Sequence, residues 1–247
     1  MSRLCLLIAM GSLFVLLPQI AISQQGNSPT TSSNPGDYAK PEEDHKNLGG
    51  WKHHDLHDQP RLPDGSKGYS IPLSTEGNLG YAASDLPPFQ DFAEYSLHGM
   101  ACDTDAIVVA TLVGSEPHLS SDKSTIFTRY HFHVDSLIKS APGAAVGGEI
   151  GVIHLGGSVV DAGEKLTVIV TGAVPFETQK TYLLTLYHDG RASANVFQSP
   201  QLINLRVISG NIVATPGSYR PAYIRDGESI ESFKQRLQSA MEKAPCR

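Results

Sequence analysis

Three histidines and two aspartates fall within ten positions in GGWKHHDLHD, from Gly49 to Asp58. Imidazole and carboxylate together suit zinc, nickel or copper, and His53 and His57 would share a helix face at i, i+4 spacing, with His54 and Asp58 beside them. Preorganisation is what the stretch lacks. Gly49 and Gly50 precede it and Pro60 follows, leaving fewer than the roughly 12 to 15 residues that an isolated helix needs in water. Nor does it carry the glutamate of H-E-x-x-H, which activates water in metalloproteases. A solvated polar linker is the expectation here, with transition-metal binding by His53, His54 and His57 as the alternative.

A second pair lies in TIFTRYHFHVDSLIK, where His131 and His133 alternate with apolar residues between Arg129 and Asp135. One strand would point them the same way, enough for half of a metal or anion site. A solvent face of mixed charge explains the alternation equally well and is the reading preferred. His154 and His188 stand near the ends of other strands. For covalent hydrolysis no G-x-S-x-G elbow occurs; Ser158 in LGGSVV is its nearest imitation, and a turn between strands accounts for that. Phosphate loops, dinucleotide fingerprints and C-x-x-C pairs are absent from the sequence, so no cofactor is expected.

The elements that would position these groups are mostly strands. Ala106–Val113 is a continuous apolar run rich in Val and Ile, and Ile126, Tyr130, Phe132, Val134 and Ile138 alternate on one side of the next. Further strands are expected at 149–154, 166–170, 182–187, 192–197, 202–208 and 211–214, separated by SSDKS, PGAAVGG, DAGE, HDGR and SGN, which supply turn residues. Phe127 and Tyr187 fall out of register with the buried set and are the first two candidates for exposure. Two helices flank the strands. SDLPPFQDFAEYSLHG has caps at Ser84 or Asp85, apolar residues at Phe89, Phe92 and Leu97, and a stop at Gly99. Ile230, Phe233, Leu237 and Met241 form one stripe after a Ser229 or Asp226 cap and before Pro245. The fold class expected is all-β: a small antiparallel barrel or sandwich with a short preceding helix and a C-terminal amphipathic helix.

Arg3 followed by an apolar run from Leu4 to Ile22, with Ala21 and Ser23 at the −3 and −1 places, reads as a signal peptide spanning 1–23. Cys5 lacks the small residue that a lipoprotein cysteine needs before it. Cleavage would leave no membrane span and a secreted or periplasmic chain. From 24 to 84 the composition is rich in Ser, Pro, Gly and Asn, so a disordered or irregular linker is expected, and the barrel with its C-terminal helix occupies 85–247. Losing Arg3 leaves 18 basic residues of the 19 against 25 acidic ones, a formal charge of −7 in place of −6. That balance argues against nucleic acid as a partner.

Cys102 and Cys246 remain in the processed chain, and an oxidising compartment would permit one bridge between them. It would close a loop worth roughly 5 kcal/mol on chain-entropy grounds. Two free thiols, or a bond between chains, are the alternatives.

Three phrases carry a resemblance: CDTDAIVVATLVGSEPHLSSDKSTIFTRYHFHVDSLIK, GGEIGVIHLGG and PFETQKTYLLTL. They resemble a group of secreted bacterial proteins of unassigned function that form small β-barrels, distantly similar to the OB-like barrel of netrin-like and metalloproteinase-inhibitor domains. The resemblance spans Cys102 to about Ala214 and implies a fold more than an activity. In the inhibitors a free N-terminal cysteine chelates the target's zinc; Cys102 lies far inside this chain, so that role is not carried over. The function expected is an exported, non-catalytic module that binds a protein or a cell-envelope component. A metal-binding protein or metal-dependent enzyme using clustered histidines is the rival, and protease inhibition is a third reading.

Overall fold

The computed structural model describes residues 54–72, 91–142, 144, 146–188 and 195–246. Among these residues, ten strands and two α-helices follow a single 3₁₀ turn at Leu56–Asp58. The strands are β1 (Lys67–Pro72), β2 (Ala106–Leu119), β3 (Ile126–Ser140), β4 (Glu149–Leu155), β5 (Gly157–Asp161), β6 (Glu164–Thr171), β7 (Thr181–His188), β8 (Val196–Gln198), β9 (Leu205–Ile208) and β10 (Asn211–Ala214). Helix α1 (Phe92–Asp103) precedes β2, and α2 (Ile230–Lys243) follows β10. The described fold is predominantly β, as the strand-rich pattern implies.

Seven strands form one sheet in the order β10-β9-β7-β2-β3-β4-β8, and β8 pairs back onto β7, so five of them close a ring. All ring pairs are antiparallel except β4 with β8, which run parallel from Gly151↔Val196 to Ile153↔Gln198. Strands β9 and β10 continue outward from the N-terminal half of β7. A second sheet, in the order β1-β6-β5, is built on the β5–β6 hairpin, with β1 parallel to β6.

The unbroken apolar run of β2 has a direct cause: both of its faces are covered. Ala106, Val108, Ala110 and Leu112 join Phe132, Ile150, Val152, Tyr182, Leu184, Leu186 and Phe197, contributed by all five ring strands. Ile107 and Val109 instead meet Leu97, Met100 and Ala101 of α1 and Ile230, Phe233, Leu237 and Ala240 of α2. A strand buried on two sides loses its polar alternation. On β3 the expected single apolar side divides. Val134 packs toward the ring interior while Ile138 packs toward the helices, because the register slips once between them, at Val109/Ala110. The slip moves the following side chains to the other face.

Helix α2 matches its amphipathic pattern. Ser229 caps it by accepting from the Ser232 amide at 3.1 Å, and the Ile230, Phe233 and Leu237 stripe is buried with Met241 partly so. Full burial of a side chain such as Phe233 is worth about 2 to 3 kcal/mol. Helix α1 differs from expectation at both ends. Asp91, not Ser84 or Asp85, caps it by accepting from the Glu94 amide, and the helix runs through Gly99 to Asp103. Burial of Met100 and Ala101 just past Gly99 holds that turn together, outweighing the glycine's cost of about 1 kcal/mol. Ser84, Asp85 and Phe89 lie outside the described residues.

The stretch expected to be an irregular linker is also corrected where it is described. Leu56 is 0% exposed in a third cluster with Ile126, Leu166 and Val168, and Tyr69 and Ile71 of β1 pack against it. Parallel pairing to β6 engages one edge of the β1 backbone. Gly68 makes the approach possible: at φ +154°, a Cβ there would lie 1.6 Å from the Thr167 carbonyl oxygen. Phe127 is corrected too. A first candidate for exposure, it is only 6% exposed, whereas Tyr187 is half-buried. Among the described residues, no helix is long and apolar enough to cross a membrane.

Candidate functional site on the β2–β3 wall

Of the first histidine group, His53 lies outside the described residues and His54 is exposed. His57 sits in the 3₁₀ turn rather than on an α-helical face. Its backbone amide donates to Asp55 Oδ1 at 2.9 Å, and its Nδ1 lies 2.8 Å from the same oxygen. Nε2 faces Asp161 Oδ2 at 3.4 Å, an oxygen that also accepts from Lys123 Nζ at 2.9 Å. The Lys123 ammonium, first among the causes, holds the Asp161 carboxyl below its ordinary range. Lys67 Nζ donates to the His57 carbonyl and pairs with Glu164 at 2.9 Å. This cluster ties the turn to the β5–β6 hairpin.

His131 and His133 are not the pair that converges. His133 is exposed, opposite Thr111 on one side and Glu149 on the other. His131 instead meets two residues of β2 that sequence reading passed over. Its Nε2 lies 3.6 Å from Glu116 Oε2, and His118 Nε2 lies 3.7 Å from the same atom. Glu116 and His118 are two apart on β2 and therefore on one face; the register sets Gly114 opposite His131 and Glu116 opposite Arg129. The available signal was the E-x-H of β2 facing the R-x-H of β3 across a hairpin. The strand passes a slip at Val113 and continues through Gly114 and Pro117 to Leu119, beyond the apolar run.

Arg129 stands across from Glu116 in the register and lays its guanidinium beside Gly151 of β4. Its Nε would lie 2.7 Å from a Cβ at Gly151 on β4, so the guanidinium extends over a position where no side chain interferes. The Glu116 carboxylate faces the two imidazoles. Burial lowers the proton affinity of His118 first, with Glu116 opposing and Arg129 and His131 adding to the fall.

A hydroxyl–imidazole pair occurs inside the ring. His154 Nε2 is 2.7 Å from Ser199 Oγ, and the imidazole ring lies 5.1 Å from Phe176 and 5.5 Å from Tyr130, centroid to centroid. Burial pushes His154 down to about 4. A general base works best with a pKa near the operating pH, so this imidazole is poorly matched to activating a serine at neutrality. Ser158, the serine singled out in the sequence, bonds Thr167 Oγ1 at 2.9 Å across the β5–β6 pair.

Cys102 and Cys246 form a disulfide, with Cα atoms 5.3 Å apart and 144 residues between them in sequence. The bond joins the end of α1 to the chain just beyond α2. His98, one turn before Cys102, lies 3.6 Å from its sulfur and 2.9 Å from the Ala244 carbonyl through Nε2. Imidazole and both sulfurs fall within 4.8 Å of one another, but the sulfurs are spent on each other.

No protein-family model matches the chain, and no curated protein matches it either.

Proposed function

We propose that the chain is an exported, non-catalytic binding module on an OB-like barrel, directed at a protein or a cell-envelope component. The observation that carries this reading is the way the ring is filled. Tyr130, Phe132, Phe176 and Tyr182 pack edge to face with centroids 4.9 to 6.1 Å apart, and this filled interior supports recognition through the outer surface. In the order of the ring strands, first pairs with second, second with third, third in parallel with fifth, fifth with fourth and fourth with first. That order supports the OB-like resemblance, and such barrels commonly bind through an open outer face.

Export draws support from the apolar leader at 1–23 and from the disulfide, which suits an oxidising compartment. Protease inhibition by a free cysteine is disfavoured: Cys102 lies within α1 and is bonded to Cys246. The test is a thermal-shift screen of the processed protein against peptidoglycan fragments, glycans, lipids and envelope proteins, paired with an ester, peptide and glycoside panel. A ligand-dependent rise in melting temperature without turnover is expected. Turnover that disappears in Ser199→Ala or His154→Gln would overturn the reading.

A further inference from the structure

We propose that His98, Cys102 and Cys246 form a binding site for a thiophilic divalent ion of the zinc class, opened when the bond between the two cysteines is reduced. A ring nitrogen of the imidazole and the two sulfurs lie within 4.8 Å of one another, close enough to share one cation. Zinc takes sulfur at about 2.3 Å and nitrogen at about 2.0 Å in a tetrahedron, which sets its ligand atoms about 3.3 to 3.8 Å apart. His98 Nδ1 and Nε2 stand 3.9 and 3.6 Å from Cys102 Sγ. With Cα atoms 5.3 Å apart, the two cysteine sulfurs reach that spacing by rotation about their Cα–Cβ bonds once the bond between them is cut. The imidazole is also turned as a ligand should be. A carbonyl only accepts, so the 2.9 Å contact between Nε2 and the Ala244 oxygen puts the proton of the neutral ring on Nε2 and makes Nδ1 the basic nitrogen. Metal-bound histidines commonly donate their other ring N–H in this way.

Contacts outside the disulfide keep the site assembled after reduction. Glu94, His98 and Cys102 recur every four residues along one face of α1, and they meet Lys243, Ala244 and Cys246 in turn. Lys243 Nζ donates to Glu94 Oε1 at 2.6 Å. Cutting the sulfur–sulfur bond removes one of these three fastenings, and the other two hold Cys246 beside Cys102. Cys246 is exposed while His98 and Cys102 are part-buried, so a reductant arrives at Cys246. The step is exchange with a dithiol. One thiolate of the dithiol attacks Cys246 Sγ and Cys102 Sγ leaves; the second sulfur of the dithiol then displaces Cys246 as it closes its own disulfide. Two electrons pass to the protein, its sulfurs bind the metal as thiolates, and the two protons of the dithiol go to solvent. Two thiolates with one imidazole select zinc over magnesium or calcium.

The full chain, purified without an affinity tag, is reduced with a phosphine, freed of it under anaerobic conditions, and titrated with Zn²⁺ and Co²⁺ beside the oxidised chain. The reduced chain should take one equivalent of Zn²⁺ at about 1 µM or tighter and about 100-fold more tightly than the oxidised chain, and its Co²⁺ form should show thiolate-to-cobalt charge-transfer absorption. Cys246→Ser and His98→Gln should each weaken binding about tenfold or more. Glutamine can still donate to the Ala244 carbonyl, so His98→Gln separates a metal ligand from a helix cap. If reduction unfolds the chain, Zn²⁺ should restore the circular dichroism of the parent and not that of His98→Gln. Equal affinity in the oxidised and reduced chains, unchanged affinity in His98→Gln, or no recovery of an unfolded reduced chain with Zn²⁺ would overturn the proposal. Since the readout is the metal itself, failure here is separate from failure to find a macromolecular ligand.

Discussion

Glu228 and Arg236 form an ion pair, Oε2 to Nη2 at 2.6 Å, with only 4% and 16% of their side chains exposed. Arg236 Nε donates to Glu228 Oε1 at 2.7 Å, and its Nη2 also donates to the Tyr223 carbonyl at 2.8 Å. The pair fastens α2 to the loop that follows β10. Removing one partner strands a largely buried charge, so Glu228→Gln should cost on the order of 3 kcal/mol in urea unfolding. A double variant, Glu228→Gln with Arg236→Met, should recover part of that loss. Equal stability of Glu228→Gln and the parent would show that the pair contributes nothing.

Reducing the Cys102–Cys246 bond should destabilise the protein by about 2 to 4 kcal/mol, and Cys246→Ser should reproduce the effect. Hydrogen exchange is the sharper check. Protection should fall first in α1 and α2, which the bond joins, while β3 and β4 keep theirs. Uniform loss along the chain would contradict that local role.

His154 gives acidification a defined signature. The unfolded chain takes up this proton near the ordinary value of 6.5 and the folded chain near 4, so the unfolded state holds more protons between those limits. Stability from this residue is complete above 6.5, declines as pH falls through the window, and is flat below 4. The decline is on the order of 3 kcal/mol. Denaturation curves at pH 7 and pH 5 should diverge more for the parent than for His154→Gln; matching slopes would refute the assignment.

Ala162 occupies the first position of the two-residue β5–β6 turn at φ +50°, followed by Gly163 at +82°. Both central residues of such a turn need positive φ, which asparagine tolerates better than alanine. Ala162→Asn should therefore raise stability by roughly 0.5 to 1 kcal/mol, read as a higher urea midpoint at unchanged m-value.

What was legible in the sequence depended on how much pattern a segment carried by itself. Helix α2 repeats its stripe over three turns, and β2 presents seven apolar residues among the eight from Ala106 to Val113, so both were readable. Strand β1 offers only Tyr69 and Ile71 to a core, and its pairing is with a segment about 100 residues away. Nothing local reports such a partner. The Glu116, His118 and His131 group was missed for a related reason: its members are brought together by the register of β2 with β3, and a slip at Val113 separates Glu116 and His118 from the apolar run that announced the strand. His154 shows the opposite case. It follows Ile150 and Val152 at a spacing of two, so its direction into the ring was legible, while its withdrawal from water required the aromatic neighbours contributed by β3 and by Phe176, ahead of β7.

Strand β2 serves as a party wall. Its even-numbered residues from Ala106 to Leu112 belong to one hydrophobic chamber, and Ile107 and Val109 to another. A lesion anywhere along those few residues is therefore felt on both sides of the partition, whichever face the altered side chain occupies.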